Sequence, residues 1–217
     1  MLLELSLSLA GTSSASDHTS HHPPPVIHVL VQSLDDVRYD CYMCQSHHLS
    51  HLFVLLQDEA LAVRAATLRL LGHLARWNPA LVLPDLRHLL MDILIELRCG
   101  GGREAATRLL VVFLRAGALH RLIHPFLPSI IEALPLKGVT PRLASADMEA
   151  LGELAQVSRS SLIPWVPQLV PDILETMQDQ ISASKQRTSI RTLGLIAGGT
   201  GYVISPYIEE LRNPSTK

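Results

Sequence analysis

Four prolines recur at nearly constant intervals, each at the start of an apolar segment. They are separated by 41, 39 and 42 residues and are Pro84, Pro125, Pro164 and Pro206. The segment at 78–97 shows the pattern that follows. Its apolar residues recur at spacings of three and four, which predicts an amphipathic helix, and they are Leu86, Leu89, Ile93 and Leu97. Pro84 is predicted to begin this helix, because a first-turn residue has no use for a backbone N–H.

A second helical pattern lies between successive prolines, as at 63–77. One face of this helix is predicted to carry Val63, Ala66, Thr67, Leu70, Leu74 and Trp77. Two helices in a period of roughly 40 to 47 residues are typical of HEAT and armadillo arrays. We therefore predict an all-α, right-handed HEAT-type solenoid of four to five helix pairs. The predicted units are 26–48, 49–77, 84–116, 125–157, 164–197 and a truncated unit at 206–211.

Two further landmarks support the period. Gly72, Gly152 and Gly194 each stand 12 residues before such a proline. Because glycine weakens a helix by about 1 kcal/mol relative to alanine, its recurrence predicts close helix approach at this position. Asp58 and Asp179 each precede a basic residue by six positions, and we expect their carboxylates to accept N–H groups at the helix start.

Composition restricts the remaining possibilities. Apolar residues make up 47% of the 217-residue chain, whereas the formal net charge is only −2, so no nucleic-acid partner is predicted. No apolar run is long enough to span a membrane. The segment 1–10 lacks the basic residues of a signal peptide, and a cytoplasmic location is predicted. Residues 1–25 are predicted to be a disordered tail, and 212–217 a frayed terminus.

Several segments together resemble the N-terminal HEAT repeats of target of rapamycin (TOR) serine/threonine kinases. They occur in matching order and spacing, and include NPALVLPDLRHLLMDILIEL (78–97), REAATRLL (103–110), RLIHPFLPSIIEAL (121–134), LGELAQVS (151–158), SKQRTSIRTLG (184–194) and TGYVISPY (200–207). The resemblance covers roughly 35–207. It implies a scaffold segment in nutrient and growth signalling that contacts neighbouring HEAT repeats and a raptor-like adaptor. ATP and magnesium would belong to the parent's kinase domain, and no cofactor is predicted here.

The sequence departs from the family at 1–25, between Tyr39 and Leu52, and after Tyr207. These departures favour a fragment, a splice form or an imperfect gene model. They also predict an apolar face left bare at the C-terminal end, with self-association or fraying there. A stand-alone HEAT adaptor, importin-like or phosphatase-scaffold-like, is the alternative. No kinase loop, DFG or G-x-S-x-G motif occurs, so we predict neither catalytic residues nor enzymatic activity for this chain.

One cluster has the residue types of a zinc site. Cys41 and Cys44 form a C-x-x-C pair, and three histidines follow at once, namely His47, His48 and His51. Only two residues separate Cys44 from His47, whereas structural zinc sites use a longer loop between ligand pairs. The spacing therefore favours free thiols in a helix, with Cys41, Cys44, His47 and His51 as the zinc alternative.

Other motifs favour structural roles. Glycines 100–102 lack the Lys-Ser/Thr of a phosphate loop, and glycines 198, 199 and 201 follow a predicted helix, where they would terminate it. A possible basic strip comprises Arg64, Arg69, Arg76 and Arg87, but a solvated outer face is the simpler interpretation. Trp77 and Trp165 are predicted to pack on the next repeat, with a partner contact as the alternative.

Overall fold

A computed structural model describes residues 40–99, 101–116, 119–136, 140–178 and 183–207. Throughout these ranges the regular structure is helical and no strand occurs. The predicted all-α class is therefore confirmed. The predictions for the tail at 1–25 and for 212–217 fall outside the described residues.

The chain divides into two compact units, one ending at Leu86 and the other beginning at Arg87. The helices of the first unit are α1 (Asp40–Met43), α2 (Ser46–Leu55), α3 (Leu61–Leu74) and the first part of α4 (Pro79–Cys99). Helix α2 packs on α3. The core of this unit is rich in leucine and includes Leu49, Leu52, Leu68, Leu71 and Leu74.

The second unit begins in α4, and its described residues continue through α5 (Arg103–Arg115), α6 (His120–Ile123), α7 (Leu127–Glu132), α8 (Pro141–Ser158), α9 (Val166–Gln178) and α10 (Ala183–Thr200). Short 3₁₀ turns lie at His124–Phe126, Arg159–Trp165 and Gly201–Ile204. Helix α8 contacts both α5 before it and α10 after it, while α9 packs on α10. In the second unit α8 thus packs between α5 and α10, an arrangement consistent with an all-α solenoid.

The predicted role of Pro84 is wrong. Helix α4 begins at Pro79, and Pro84 lies inside it at an exposed position. Pro79 already supplies the first-turn proline, and the Asn78 carbonyl accepts the N–H of Val82 at 3.2 Å. Pro171 also lies inside its helix, α9. The prolines in corresponding L/V-P-x-L/I segments are Pro84, Pro128 and Pro171, at intervals of 44 and 43 residues.

The predicted apolar faces are largely confirmed. Leu86, Leu89, Ile93 and Leu97 of α4 are all buried, as are the α3 residues from Val63 to Leu74 that share the predicted face. Trp77 is the exception, because 55% of its surface is exposed. Helix α3 ends at Leu74, so the helical periodicity that placed Trp77 on the inner face no longer applies there.

The recurring glycines were predicted to mark close approaches between helices. This prediction can be checked at Gly152 and Gly194, and it is confirmed at Gly152 alone. A Cβ atom at Gly152 would lie 2.9 Å from Leu195 Cδ1 and 3.2 Å from Thr192 Oγ1, which confirms a close approach of α8 and α10. Gly194 has no atom within 4 Å of such a Cβ, so the prediction is wrong there. The other tight position is Gly199, where a Cβ would lie 2.7 Å from the Ala155 carbonyl oxygen.

The end of α10 differs from the predicted glycine terminator. The helix continues through Gly198 and Gly199 to Thr200. Of these three glycines, Gly201 alone adopts a positive φ, of 64°. Gly201 therefore ends α10, because glycine tolerates this left-handed conformation.

Asp58 caps a turn and not the helix itself. Its Oδ1 accepts the N–H of Ala60 at 2.7 Å, and Ala60 immediately precedes α3. Asp179, the second residue of this prediction, lies outside the described residues.

Candidate interaction surface

The residues of the zinc hypothesis lie at the beginning of the first unit. Cys41 and His47 are exposed, Cys44 and His51 are half-buried, and His48 is buried. All three cysteines have free thiols. In the described parts of the chain, no group of three or more His, Cys, Asp or Glu side chains could hold a metal ion.

Cys44 takes part in contacts between α1 and the end of α3. Its Sγ lies 3.8 Å from the Leu74 carbonyl oxygen, and Asn78 Nδ2 donates to the Cys44 carbonyl at 3.2 Å. Burial, with the nearby Asp40 and Cys41, raises the pKa of the Cys44 thiol. The thiol is therefore less ionised at neutral pH than an ordinary cysteine, and thus a weaker nucleophile and metal ligand.

A second polar contact joins the same elements. Asp40 is only 2% exposed, and its Oδ2 lies 2.9 Å from His73 Nε2. The sequence analysis missed this pair, since 33 residues separate its members. It fixes the first turn of α1 against the last turn of α3.

His48 is buried beside two other rings. Its ring centroid lies 3.6 Å from that of His47 and 4.1 Å from that of Tyr42. Neither ring nitrogen of His48 has a hydrogen-bond partner among the described residues. Burial, together with His47 and His51, lowers the pKa of His48. At neutral pH the imidazole is therefore uncharged in the folded chain.

Acidification is expected to destabilise the chain through His48. As pH falls through the ordinary histidine pKa of about 6.5, the unfolded chain takes up a proton that the folded chain binds less readily. The stabilising contribution is thus present above this pH and lost below it. His48→Phe should remove that part of the pH dependence in urea-unfolding curves. Parallel curves for the two proteins across this range would contradict the assignment.

The other predicted candidates remain on the surface or near it. Gly101 and Gly102 form an exposed turn before α5. Arg69, Arg76 and Arg87 are exposed, and Arg64 is half-buried. In the second unit, the Arg87 guanidinium lies 5.8 Å from the centre of the Phe126 ring. Trp165 is half-buried and borders a groove.

A buried polar residue recurs at nearly constant spacing in four helices, α3, α5, α8 and α10. These residues are spaced by 40, 40 and 42 positions and are Thr67 of α3, Thr107 of α5, Asp147 of α8 and Ser189 of α10. Three of them have short hydroxyl side chains, whereas Asp147 carries a carboxylate. Aligning the helices by their apolar residues reveals this position, whereas the recurring prolines, glycines and turn aspartates do not.

Asp147 is the centre of a polar network between α5 and α8. It is fully buried, and Arg103 Nη2 donates to its Oδ2 at 2.9 Å. The same Arg103 nitrogen lies 3.0 Å from the Ala133 carbonyl oxygen. The Thr107 hydroxyl lies 3.0 Å from Asp147 Oδ1 and 3.0 Å from the Arg103 carbonyl oxygen. Burial raises the pKa of Asp147, although Arg103 and Thr107 oppose that rise.

Nearer the surface, a row of charged side chains extends across α5, α8 and α10. Arg115 of α5 donates to Glu149 at 2.6 Å and to Glu153 at 2.9 Å, both in α8. Glu153 also lies 3.6 Å from Arg191 of α10. The hydrogen bond to Glu153 is the main cause of a raised pKa for Arg115. Opposite charges therefore alternate from one helix to the next.

Two further hydrogen bonds fix α8 against α10. Thr192 Oγ1 donates to the Met148 carbonyl at 2.8 Å, and Ser145 Oγ donates to Thr188 Oγ1 at 3.3 Å. In the second unit, these interhelical polar contacts join α5, α8 and α10. This chemistry suits structural support, since the charges of the network neutralise one another.

No helix in the described ranges combines the length and apolar character required to cross a bilayer. No protein-family model matches the sequence.

Comparison with characterised proteins identifies relatives. The chain is 32% identical over 189 residues to Serine/threonine-protein kinase tor1 of Schizosaccharomyces pombe, covering 85% of this chain and 8% of that kinase. It is 35% identical over 184 residues to Serine/threonine-protein kinase TOR of Oryza sativa subsp. japonica, covering 79% of this chain and 7% of the kinase. Serine/threonine-protein kinase TOR2 of Saccharomyces cerevisiae is 27% identical over 192 residues, again 85% of this chain and 8% of the relative.

The alignments thus include most of this chain but only a small part of each kinase. The resemblance found in the sequence is confirmed by several relatives from yeasts and plants. Over most of its length, the chain is homologous to one segment of the TOR serine/threonine-protein kinases.

Proposed function

We propose that this chain acts as a non-catalytic scaffold segment of a TOR-type serine/threonine kinase. The observation that carries the proposal is the extent of the match, which includes 85% of this chain and only 8% of the tor1 kinase. A segment of that size, built in its described parts from helices, is suited to holding other parts of an assembly in place. The proposed site of action is the cytoplasm.

The packing of the second unit supports this role. Buried Asp147 of α8 pairs with Arg103 of α5, and the Arg115–Glu153–Arg191 row joins α5, α8 and α10, so these helices are held together by several polar contacts. Such an array offers an extended surface at little conformational cost on binding. The proposed partners are neighbouring HEAT repeats of the parent kinase and a raptor-like adaptor.

A chimera tests the scaffold proposal in a complete kinase. The aligned segment of Schizosaccharomyces pombe tor1 is replaced by the corresponding residues of this chain. We expect the chimera to support growth and to co-purify with its adaptor, while a matched chimera carrying Asp147→Ala retains less adaptor. If deleting the whole segment from tor1 leaves growth and adaptor binding unchanged, the scaffold proposal is wrong.

The non-catalytic part of the proposal has a separate test. The purified 217-residue chain is titrated with ATP and magnesium and assayed for phosphate transfer to a generic protein substrate. We expect neither binding nor transfer, because the sequence lacks the loops that hold nucleotide phosphates. Micromolar ATP binding by the folded chain would overturn it.

A further inference from the structure

Two cysteines stand three residues apart in the first unit. Cys41 lies inside α1, and Cys44 follows directly after that helix. The Cys44 N–H donates to the Asp40 carbonyl at 2.9 Å, which continues the helical hydrogen-bond pattern through Cys44. Cys41 and Cys44 therefore occupy positions i and i+3 of one helical turn, and their side chains leave the same side of it.

The helical backbone brings these two residues within the range of a disulfide. In an α-helix, Cα atoms three residues apart lie roughly 5 Å from each other. Disulfides usually join Cα atoms about 4.4 to 6.8 Å apart, so no large movement of the backbone is needed. The thiols are also close enough to interact, because Cys41 adds to the effect of burial in raising the pKa of Cys44.

The two thiols differ in exposure, and this difference predicts the order in which they react. Cys41 is exposed, whereas Cys44 is half-buried with its Sγ 3.8 Å from the Leu74 carbonyl oxygen. A dissolved oxidant therefore reaches Cys41 first. Cys44 is then near any group that becomes attached to Cys41. An exposed thiol beside a resolving thiol is the arrangement found in many redox-sensing cysteine pairs.

We propose that Cys41 and Cys44 are a site of reversible oxidation and form a disulfide with each other. The oxidant is a small-molecule disulfide such as oxidised glutathione. The Cys41 thiolate attacks one glutathione sulfur, forms a mixed disulfide and releases one glutathione. Cys44 loses its proton to water, attacks the Cys41 sulfur and releases the second glutathione. Two cysteine thiols are thus oxidised by two electrons, while one glutathione disulfide is reduced to two thiols.

Oxidation changes the contact between α1 and the end of α3. The Cys44 sulfur loses its hydrogen, so it no longer donates to the Leu74 carbonyl. The Asp40–His73 pair and the bond from the Asn78 amide to the Cys44 carbonyl do not involve the sulfur. We expect these two contacts to persist, so that oxidation alters local packing without unfolding the unit. This inference goes beyond the scaffold function and does not depend on it.

Thiol counting in glutathione buffers tests the proposal. The full chain carrying Cys99→Ser, which keeps only the two cysteines in question, is equilibrated at a series of ratios of reduced to oxidised glutathione. Free thiols are then blocked with N-ethylmaleimide, and the chain is weighed by mass spectrometry. We expect an intramolecular Cys41–Cys44 disulfide at oxidising ratios and full return to two thiols in excess reduced glutathione. Two unreacted thiols, glutathione adducts alone, or disulfides only between chains would each overturn the proposal.

A spacing variant is the matched control. Cys44→Ser with Met43→Cys keeps two thiols in the same turn but places the second at i+2, where the side chains do not face each other. We expect its equilibrium constant for disulfide formation to be at least tenfold lower than that of the Cys99→Ser parent. Circular dichroism checks that both proteins keep the same helical content. Equal constants in two equally helical proteins would show that the helical spacing does not favour the disulfide, and the assignment would be wrong.

Single-cysteine variants test the roles of the two thiols. In the Cys99→Ser background, Cys44→Ser leaves only Cys41 and Cys41→Ser leaves only Cys44. We expect oxidised glutathione to form its adduct with Cys41 at least tenfold faster than with Cys44, because Cys44 is less exposed and less ionised. Adduct formation that is as fast or faster at Cys44 would contradict the proposed order of attack.

Discussion

Replacing Asp147 with alanine is expected to lower the free energy of unfolding by about 3 to 5 kcal/mol. The substitution leaves the Arg103 guanidinium, only 18% exposed, without its buried counter-ion, and the Thr107 hydroxyl without one acceptor. Urea unfolding followed by circular dichroism gives the overall loss. Amide hydrogen exchange should locate it in α5 and α8, the helices that the network joins.

Two control variants separate the loss of a buried ion pair from the loss of an exposed one. Arg98→Ala breaks a pair that also joins different helices, but at the surface, and should cost less than about 1 kcal/mol. Arg103→Met combined with Asp147→Leu removes both charges and should recover most of the loss, because apolar residues of similar volume need no counter-ion. A loss for Asp147→Ala no greater than that for Arg98→Ala would show that Asp147 does not hold the helices together.

Three glycines of α10 are expected to respond to alanine in opposite directions. At Gly199, a new Cβ would lie 2.7 Å from the Ala155 carbonyl oxygen, so the two helices must separate, at a cost of about 1 to 3 kcal/mol. At Gly194 and Gly198, no atom lies within 4 Å of the new Cβ. Alanine there should stabilise the helix by up to about 1 kcal/mol through its higher helix propensity.

The sign of each change in unfolding free energy is the informative result, since the three substitutions are chemically identical and lie within six residues. Gly194→Ala and Gly198→Ala serve as internal controls for helix propensity. If Gly199→Ala stabilised the chain as they do, α10 would not approach the end of α8 as described.

The sequence predicted those parts of the fold that depend on local periodicity. In α4 the predicted inner-face residues Leu86, Leu89, Ile93 and Leu97 are buried as expected, because a 3.6-residue period fixes which side chains share a face. The sequence-based errors concern the ends of helices, where the same local pattern is compatible with more than one start or end residue. Pro84 fits the first turn of a helix, yet Pro79 precedes it and begins α4 instead. Trp77 would share the inner face only if α3 continued beyond Leu74.

The polar contacts between helices were less predictable, because they join residues far apart in the chain. Arg103 and Asp147 are separated by 44 residues, and nothing local distinguishes Asp147 from the solvent-exposed acidic residues of other helices. The groove beside Trp165 likewise combines two helices, a loop and a 3₁₀ turn, and of its lining residues the sequence indicated only Trp165 as a possible partner contact. The glycine spacing predicted the close helix approach at Gly152, but it did not predict the one at Gly199.

Disulfide mapping between α8 and α10 tests the central claim that these two helices pack side by side at the described positions. In a background with Cys41, Cys44 and Cys99 changed to serine, Ser145→Cys with Thr188→Cys places two thiols where the hydroxyl oxygens are 3.3 Å apart. With oxidised glutathione, we expect an intramolecular disulfide to form readily, whereas Ser145→Cys with Gly198→Cys should form none. Absence of the first disulfide, or equal formation of both, would contradict the packing on which the scaffold role depends.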